Sequence, residues 1–251
     1  MSEAARTGLL PLPHTVVSAS GVTKRFGRLQ ALRGVDLAVR AGRVTAILGP
    51  NGAGKSTLIK LLLGLARADG GSLAVHGQAI GADPAYRAQI GYMPQHPRFP
   101  ENLTGREVVR LLRDLRGHAV PEDDELFGAF GLAAELDKPV RTLSGGTRQK
   151  LNAATAFMFR PSLLILDEPT AGLDPVASGV LKAKIRGVRQ AGASVLLVSH
   201  VLSELEELVD DVVFMLDGAI EFEGSLRRLK EATSETGLER AIARLMQRRA
   251  S

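Results

Sequence analysis

The run Gly49-Pro50-Asn51-Gly52-Ala53-Gly54-Lys55-Ser56-Thr57 limits what this chain can fold into more than any other stretch. An apolar segment, Val44 to Leu48, reads as a strand before it, and Ser56 to Leu65 reads as a helix after it. Glycines let backbone close tightly where a Cβ would clash. A helix start adds unpaired N–H groups and the positive end of the macrodipole. Strand, Gly-rich loop and helix in this order make an anion cradle of the kind that holds a nucleotide triphosphate. Gly49, Asn51, Gly52, Ala53 and Gly54 form its wall, with Thr57 at its far end. Lys55 would reach the β- and γ-phosphates, and the Ser56 hydroxyl would hold Mg²⁺.

Composition sets the rest in one large α/β unit. Of 251 residues, 45% are hydrophobic, enough for a sizeable core, and strand-like and helix-like stretches alternate as in a largely parallel sheet. The 32 basic residues exceed the 27 acidic ones by 5, spread along the chain apart from a basic tail from Arg227 to Arg249. The 8 Phe and 2 Tyr do not interleave with these charges, so no nucleic-acid partner is expected. Absence of Cys excludes disulfides and thiolate metal sites. His14, His76, His96, His118 and His200 lack metal-ligand spacing. No apolar run approaches the roughly 20 residues that span a bilayer, and Glu3, Pro11 and Pro13 break any signal-peptide core. The expectation is a cytoplasmic protein that serves any membrane process through a partner.

Residues 1 to about 14 read as a loose leader. From Val16 to Leu48, short β-like segments divided by Gly21, Gly27, Gly34 and Gly42 predict an antiparallel sheet. Ser72 to Val75 and Gln78 to Ile80 flank His76-Gly77 as a hairpin, and Ile90 to Met93 is a short strand. The stretch from about 97 to 155 is mostly helical, with a capping box over Thr104 to Glu107, and reads as an inserted subdomain. Strands Leu163 to Leu166 and Ser194 to Val198 are separated by a helix over about 176 to 190. Val212 to Leu216 and Ala219 to Phe222 form a hairpin at Asp217-Gly218. The remainder, about 225 to 249, is an amphipathic helix with Leu238, Ile242 and Leu245 on one face.

Two further constellations carry chemistry. Leu163-Leu164-Ile165-Leu166-Asp167-Glu168 is a strand buried on both faces, so its acids emerge only at the carboxyl tip, where ligands gather in open α/β sheets. Asp167 can hold Mg²⁺ opposite Ser56, and Glu168, pointing differently, can take a proton from attacking water. In Leu143-Ser144-Gly145-Gly146-Thr147-Arg148-Gln149-Lys150, Ser144 is a strong N-cap, and a capped helix start is also an anion site. A second anion site so far along the chain points to an active site in two parts.

Together these pieces resemble the nucleotide-binding subunit of ATP-binding cassette (ABC) transporters over residues 16 to 224. The resemblance implies an α/β fold: a P-loop NTPase (RecA-like) core with an antiparallel β subdomain and an inserted α-helical subdomain. It sets an ATPase domain at 16–230, with the helical subdomain at about 97–155, and a helical tail at 231–251. It also implies that two cassettes pair head to tail, each ATP lying between one chain's phosphate loop and the other's Leu-Ser-Gly-Gly helix. Ser144 and Gly146, with Gly145 between them, would then contact the γ-phosphate held by the partner. Phe26 matches the aromatic that stacks on adenine, where Tyr is commoner. Gln95 matches the glutamine that touches Mg²⁺ and attacking water, Ala171 to Pro175 the loop that crosses the dimer interface, and His200 the histidine on the γ-phosphate. Thr147 departs from the family's Gln, which puts any contact from that side chain to the ribose in question.

The expected activity is ATP hydrolysis, with ATP and Mg²⁺ as cofactors and Lys55, Gln95, Glu168 and His200 as the catalytic set. The expected partners are an integral membrane transporter subunit and a second cassette chain. The expected place is peripheral, on the inner face of the cell membrane. The competing expectation is a soluble cassette ATPase in an assembly process such as iron–sulfur cluster formation. A binding module without catalysis conflicts with Glu168 and His200. Thr142 to Ala153, the Val176 to Lys184 region and Leu238 to Ile242 are also similar to cassettes of nitrous-oxide-reductase maturation, which implies transport of copper or a sulfur species.

Overall fold

The computed structural model describes residues 15–81, 83–117, 122–199 and 201–247. Its centre is a six-stranded sheet in the order β10-β9-β3-β8-β7-β6. The strands are β3 (Val44–Leu48), β6 (Ile90–Met93), β7 (Leu163–Asp167), β8 (Ser194–Val198), β9 (Asp211–Leu216) and β10 (Ala219–Ser225). All neighbours run parallel except the β9–β10 hairpin. The strand alternation splits the core in two. Val44, Ala46, Leu48, Leu164, Leu166, Val195 and Leu197 face one side, while Ile47, Leu163, Ile165, Leu196 and Val198 face the other. Both faces are covered, which is why β3, β7 and β8 read as unbroken apolar runs rather than alternating ones.

The second face meets helix α1 (Lys55–Leu62) and an antiparallel sheet of β1 (Thr15–Phe26), β2 (Leu29–Arg40), β4 (Gly70–Val75) and β5 (Gln78–Ala79), in the order β2-β1-β4-β5. Of the four glycines expected to divide this region, Gly27 and Gly42 do so, in the turns between β1, β2 and β3, while Gly21 and Gly34 act differently. Gly21 and Gly34 sit at register shifts inside the β1–β2 ladder, so β1 and β2 are two long bulged strands instead of several short ones. Both have positive φ, 56° and 80°, which lets one extra residue fit without ending the pairing. Helix α1 is shorter than the expected Ser56 to Leu65. Gly64 (φ 65°) closes it, with Leu65 N–H donating to Lys60 O at 2.8 Å and Gly64 N–H to Leu61 O at 2.9 Å.

The first face meets α4 (Gly145–Phe157) and α5 (Pro175–Gln190), with α2 (Gly105–Arg116) and α3 (Glu125–Ala129) further out. Thr104 caps α2 through the full capping box with Glu107. Short α6 (Leu202–Glu206) leads back to β9, and two helices, α7 (Leu226–Thr233) and α8 (Leu238–Gln247), end the described chain. The single amphipathic tail helix expected over about 225 to 249 is thus a helical pair. Ser234, at φ 57°, breaks it, and Thr233 spends its hydroxyl on Leu229 O at 2.8 Å. The apolar face holds: Leu238 and Ile242 are buried and Leu245 packs against the same core. Among the described residues, no helix is long and apolar enough to cross a membrane.

Candidate functional site

The loop after β3 is closed by steric necessity. A Cβ on Gly49 (φ 146°) would lie 2.1 Å from Met215 O, and one on Gly54 (φ 100°) 2.7 Å from Ala31 O. Only glycine lets the loop sit this close to β9 and β2. Its seat is the β9–β10 turn, where Gly218 N–H donates to Ala53 O at 3.1 Å. Gly54 is also the N-cap of α1 and supplies no side-chain cap, so the helix start has no side-chain acceptor of its own. Donors left open at a helix start suit an anion. Lys55 is folded over the loop, its Nζ donating to Gly49 O at 2.6 Å and Pro50 O at 2.9 Å. Burial pushes the Lys55 ammonium below its ordinary pKa, and the carboxylates of Glu168 and Asp167 partly oppose this.

A cavity of about 640 Å³ opens over the loop. Gly49 to Thr57 line it, together with Phe26, Gln95, Asp167 and Glu168, so the structure gathers most of the expected site residues around one space. A larger cavity, about 790 Å³, lies between β2 and β10 beside Arg40, Arg43 and Asp211 and contains no part of the loop. Size does not choose between them. The first has the open helix start and the converging acids, and that decides.

At the tip of β7 both acids line the cavity. Burial raises the Asp167 carboxyl above the usual range, and the negative charge of Glu168 adds to this against Lys55 and His96. That is a carboxylate short of positive charge. Glu168 is buried and takes φ 51°, a conformation that turns the chain directly after the strand; its N–H still donates to Val198 O at 2.8 Å, and its C=O accepts from Ala171 N–H at 3.1 Å. The Ser56 hydroxyl, the Gln95 side chain and the Asp167 carboxylate are hard oxygen donors, which fits Mg²⁺ with phosphate and water completing its shell. When bound, that ion would neutralise charge on the phosphates.

Phe26 lies at the rim, 49% exposed, with the Lys24 ammonium 5.3 Å from its ring centroid. Lys24 is held there by Asp69 at 2.7 Å. Leu29, paired with Phe26 across the turn and 67% exposed, also lines the cavity, as does Ser199. Neither was singled out from sequence, nor was His96 as a charge beside Asp167. For Leu29 a signal existed: a large apolar residue directly after the Phe26 turn.

Ser144, Gly145 and Gly146 do not line this cavity. They start α4, where Ser144 Oγ accepts from Thr147 N–H at 3.0 Å as the N-cap. Lys150 Nζ lies 2.9 Å from Asp174 Oδ2, and Asp174 in turn caps α5 through Ala177 N–H at 2.8 Å. This ties the start of α4 to the Ala171 to Pro175 loop. Asn152 Nδ2 donates to Pro94 O at 2.8 Å, tying the same helix to the segment that carries Gln95. His200, expected at the γ-phosphate, lies outside the described residues.

Comparison with known proteins names the class. A model of the ABC transporter family matches residues 32–171, and the chain belongs to that family as its ATP-binding subunit, an ATPase that uses ATP with Mg²⁺. It is 37% identical over 225 residues to the daunorubicin/doxorubicin resistance ATP-binding protein DrrA of Streptomyces peucetius, covering 88% of this chain and 68% of that one. It is 37% identical over 224 residues to the Nod factor export ATP-binding protein I of Azorhizobium caulinodans, covering 87% and 70%. A solved ATP-binding subunit of an ABC transporter superposes with TM-score 0.86 at 29% identity, over 92% of this chain and all of that one. At 23% identity, where only the fold is shared, a dimeric cassette bound to ADP and Pi superposes with TM-score 0.75, over 84% and 99%.

Proposed function

We propose that this cassette hydrolyses ATP at sites shared between two copies of the chain and uses the closure to drive a separate membrane protein. One observation carries the reading: the phosphate loop and the Ser144 helix start are both built for anions, yet one chain does not bring them to the same cavity. In this reading Lys55 and the loop amides bind the triphosphate, and Phe26 stacks on the base. Ser56, Gln95 and Asp167 hold Mg²⁺, Glu168 takes a proton from water, and His200 contacts the γ-phosphate. Ser144, Gly145 and Gly146 face the triphosphate held by the other copy. Positioning and charge neutralisation then carry the catalysis.

The membrane partner would dock in the groove of about 390 Å³ beside the Gln95 segment, lined by Leu65, Tyr92, Phe99, Leu112 and Arg116. In this reading the chain lies at the inner face of a membrane, held there by its partner. The named relatives serve drug resistance and Nod factor export, so one cassette design accompanies unlike cargoes. A narrower assignment to nitrous-oxide-reductase maturation rests on the sequence similarity of Thr142 to Ala153, Val176 to Lys184 and Leu238 to Ile242 alone. Identification of the membrane protein retained with this chain under ATP tests it.

Mixing two dead variants tests the shared site. Lys55→Ala removes a loop lysine, and Ser144→Arg blocks the facing helix start. Each alone should be inactive, with Ser144→Arg still binding nucleotide. Random pairing of the two makes half the dimers mixed, each with one intact site of two, so activity should return to about one quarter of the parent. No recovery on mixing, with both variants folded, means that each site lies within one chain.

A further inference from the structure

Thr147 has a task in this chain that its position in the helix makes specific. Its backbone N–H donates to Ser144 Oγ at 3.0 Å, and its own Oγ1 lies 2.8 Å from the same atom. A serine hydroxyl has two lone pairs and one proton. The helix cap uses one lone pair. If Thr147 donates its hydroxyl proton, the second lone pair is used as well, and the Ser144 proton is the only valence left. If Ser144 donates instead, a lone pair faces outward, and any anion there is repelled. A helical threonine divides between two χ1 rotamers, and the one adopted here sets Thr147 Oγ1 against Ser144 Oγ.

We propose that Thr147 is a positioning residue: its hydroxyl donates to Ser144 Oγ and so aims the Ser144 proton outward, at an oxyanion of the triphosphate held by a second copy of this chain. The inference rests on the shared-site reading above. The gain has two sources. The Ser144 rotor is set before the anion arrives, and the chain of hydroxyls polarises each bond along it. A gain on the scale of one neutral hydrogen bond is about 5-fold per site. Two such sites make about 25-fold in the ATP-dependent association of the chain.

The experiment measures ATP-dependent self-association of the full chain by sedimentation, in a Glu168→Gln background so that ATP persists. Thr147→Val removes the hydroxyl while keeping the shape and the capping N–H; Thr147→Ser keeps the hydroxyl; Ser144→Ala removes the donor itself. Thr147→Val should weaken association about 25-fold while Thr147→Ser stays within about 2-fold of the parent, and ATP affinity at the chain's own loop should be unchanged in both. If Thr147→Val associates like the parent while Ser144→Ala is weakened, the positioning role is overturned and the shared site stands. Equal weakening by Val and Ser also overturns it, since the hydroxyl is then not the cause. If Ser144→Ala associates like the parent, or the parent shows no ATP-dependent association, the shared-site reading falls and this inference falls with it.

Discussion

Glu168 combines the general-base role proposed for it with a backbone cost. A β-carbon at φ 51° is crowded against its own chain, a penalty of about 1 kcal/mol that glycine escapes. The strained turn follows directly on β7 and keeps Glu168 on the same cavity as Asp167. Glu168→Gln should keep nucleotide binding but slow hydrolysis at least ~10²-fold, the lower range for a lost general base. Phosphate release by the purified chain, with contaminating ATPase excluded, checks this; near-parent turnover would remove Glu168 from the role. Thermal melts supply an independent check on the backbone. Glu168→Gly should be more stable than Glu168→Ala by about 1 kcal/mol, because only the alanine retains the crowded β-carbon. The presence of Asp167 and Glu168 at a strand tip was legible from the apolar run before them. The left-handed backbone at Glu168 was not, because no local pattern marks it.

Among elements, the joint between α5 and the segment entering α3 is set by an ion cluster that sequence patterns do not expose. Lys184 is buried, 7% exposed, on the helix face where an apolar residue would be expected, and its Nζ reaches Asp123 Oδ2 and Glu125 Oε2, each at 2.7 Å. Burial works against both charges. The hydrogen bonds win, so Asp123 is held below the usual carboxylate range by Lys184 and the Glu125 N–H, and Lys184 is held above the usual lysine value by Asp123 and Glu125. Asp123 has the lower pKa when folded. Its contribution is therefore complete above its unfolded value, about 3.9, and is lost as pH falls through the folded one. The Lys184 contribution has the opposite sign and fades only above about 10.4. Lys184→Met should cost about 3 kcal/mol at neutral pH by leaving Asp123 without its cation, and denaturant titrations should show that difference shrinking below about pH 4. A difference that is flat through pH 3 would mean lost packing, not lost charge. The same scale explains the misread glycines. Gly21 and Gly34 look like strand ends in a list of residues, yet the ladder closes over them because partner strands supply hydrogen bonds on both sides.

At the level of the whole molecule, the two sheets and the helical layer hold the phosphate loop and the Ser144 helix start apart. Lys150 to Asp174 and Asn152 to Pro94 connect α4 to the loop before α5 and to the segment of Gln95. The proposed docking groove adjoins these contacts, with Pro94 and Asn152 in its lining. Leu65, 67% exposed at its rim, should tolerate Leu65→Glu without loss of ATP binding, while recovery of the full chain in the membrane fraction of its native cells should drop at least ~10-fold. Unchanged recovery would place the partner contact elsewhere. Phosphate loop, acidic strand tip and Ser144 cap were all legible from sequence, because each is a run of adjacent residues whose spacing already states its geometry. Ser199 and His96 join the site only when β8 and the Gln95 segment meet β3 and β7, and no local pattern encodes that meeting. The sequence by itself determined the nucleotide chemistry and the alternation that divides one sheet between two cores. Tertiary structure alone decided which residues share a cavity and where helices stop, because these follow from packing between distant segments.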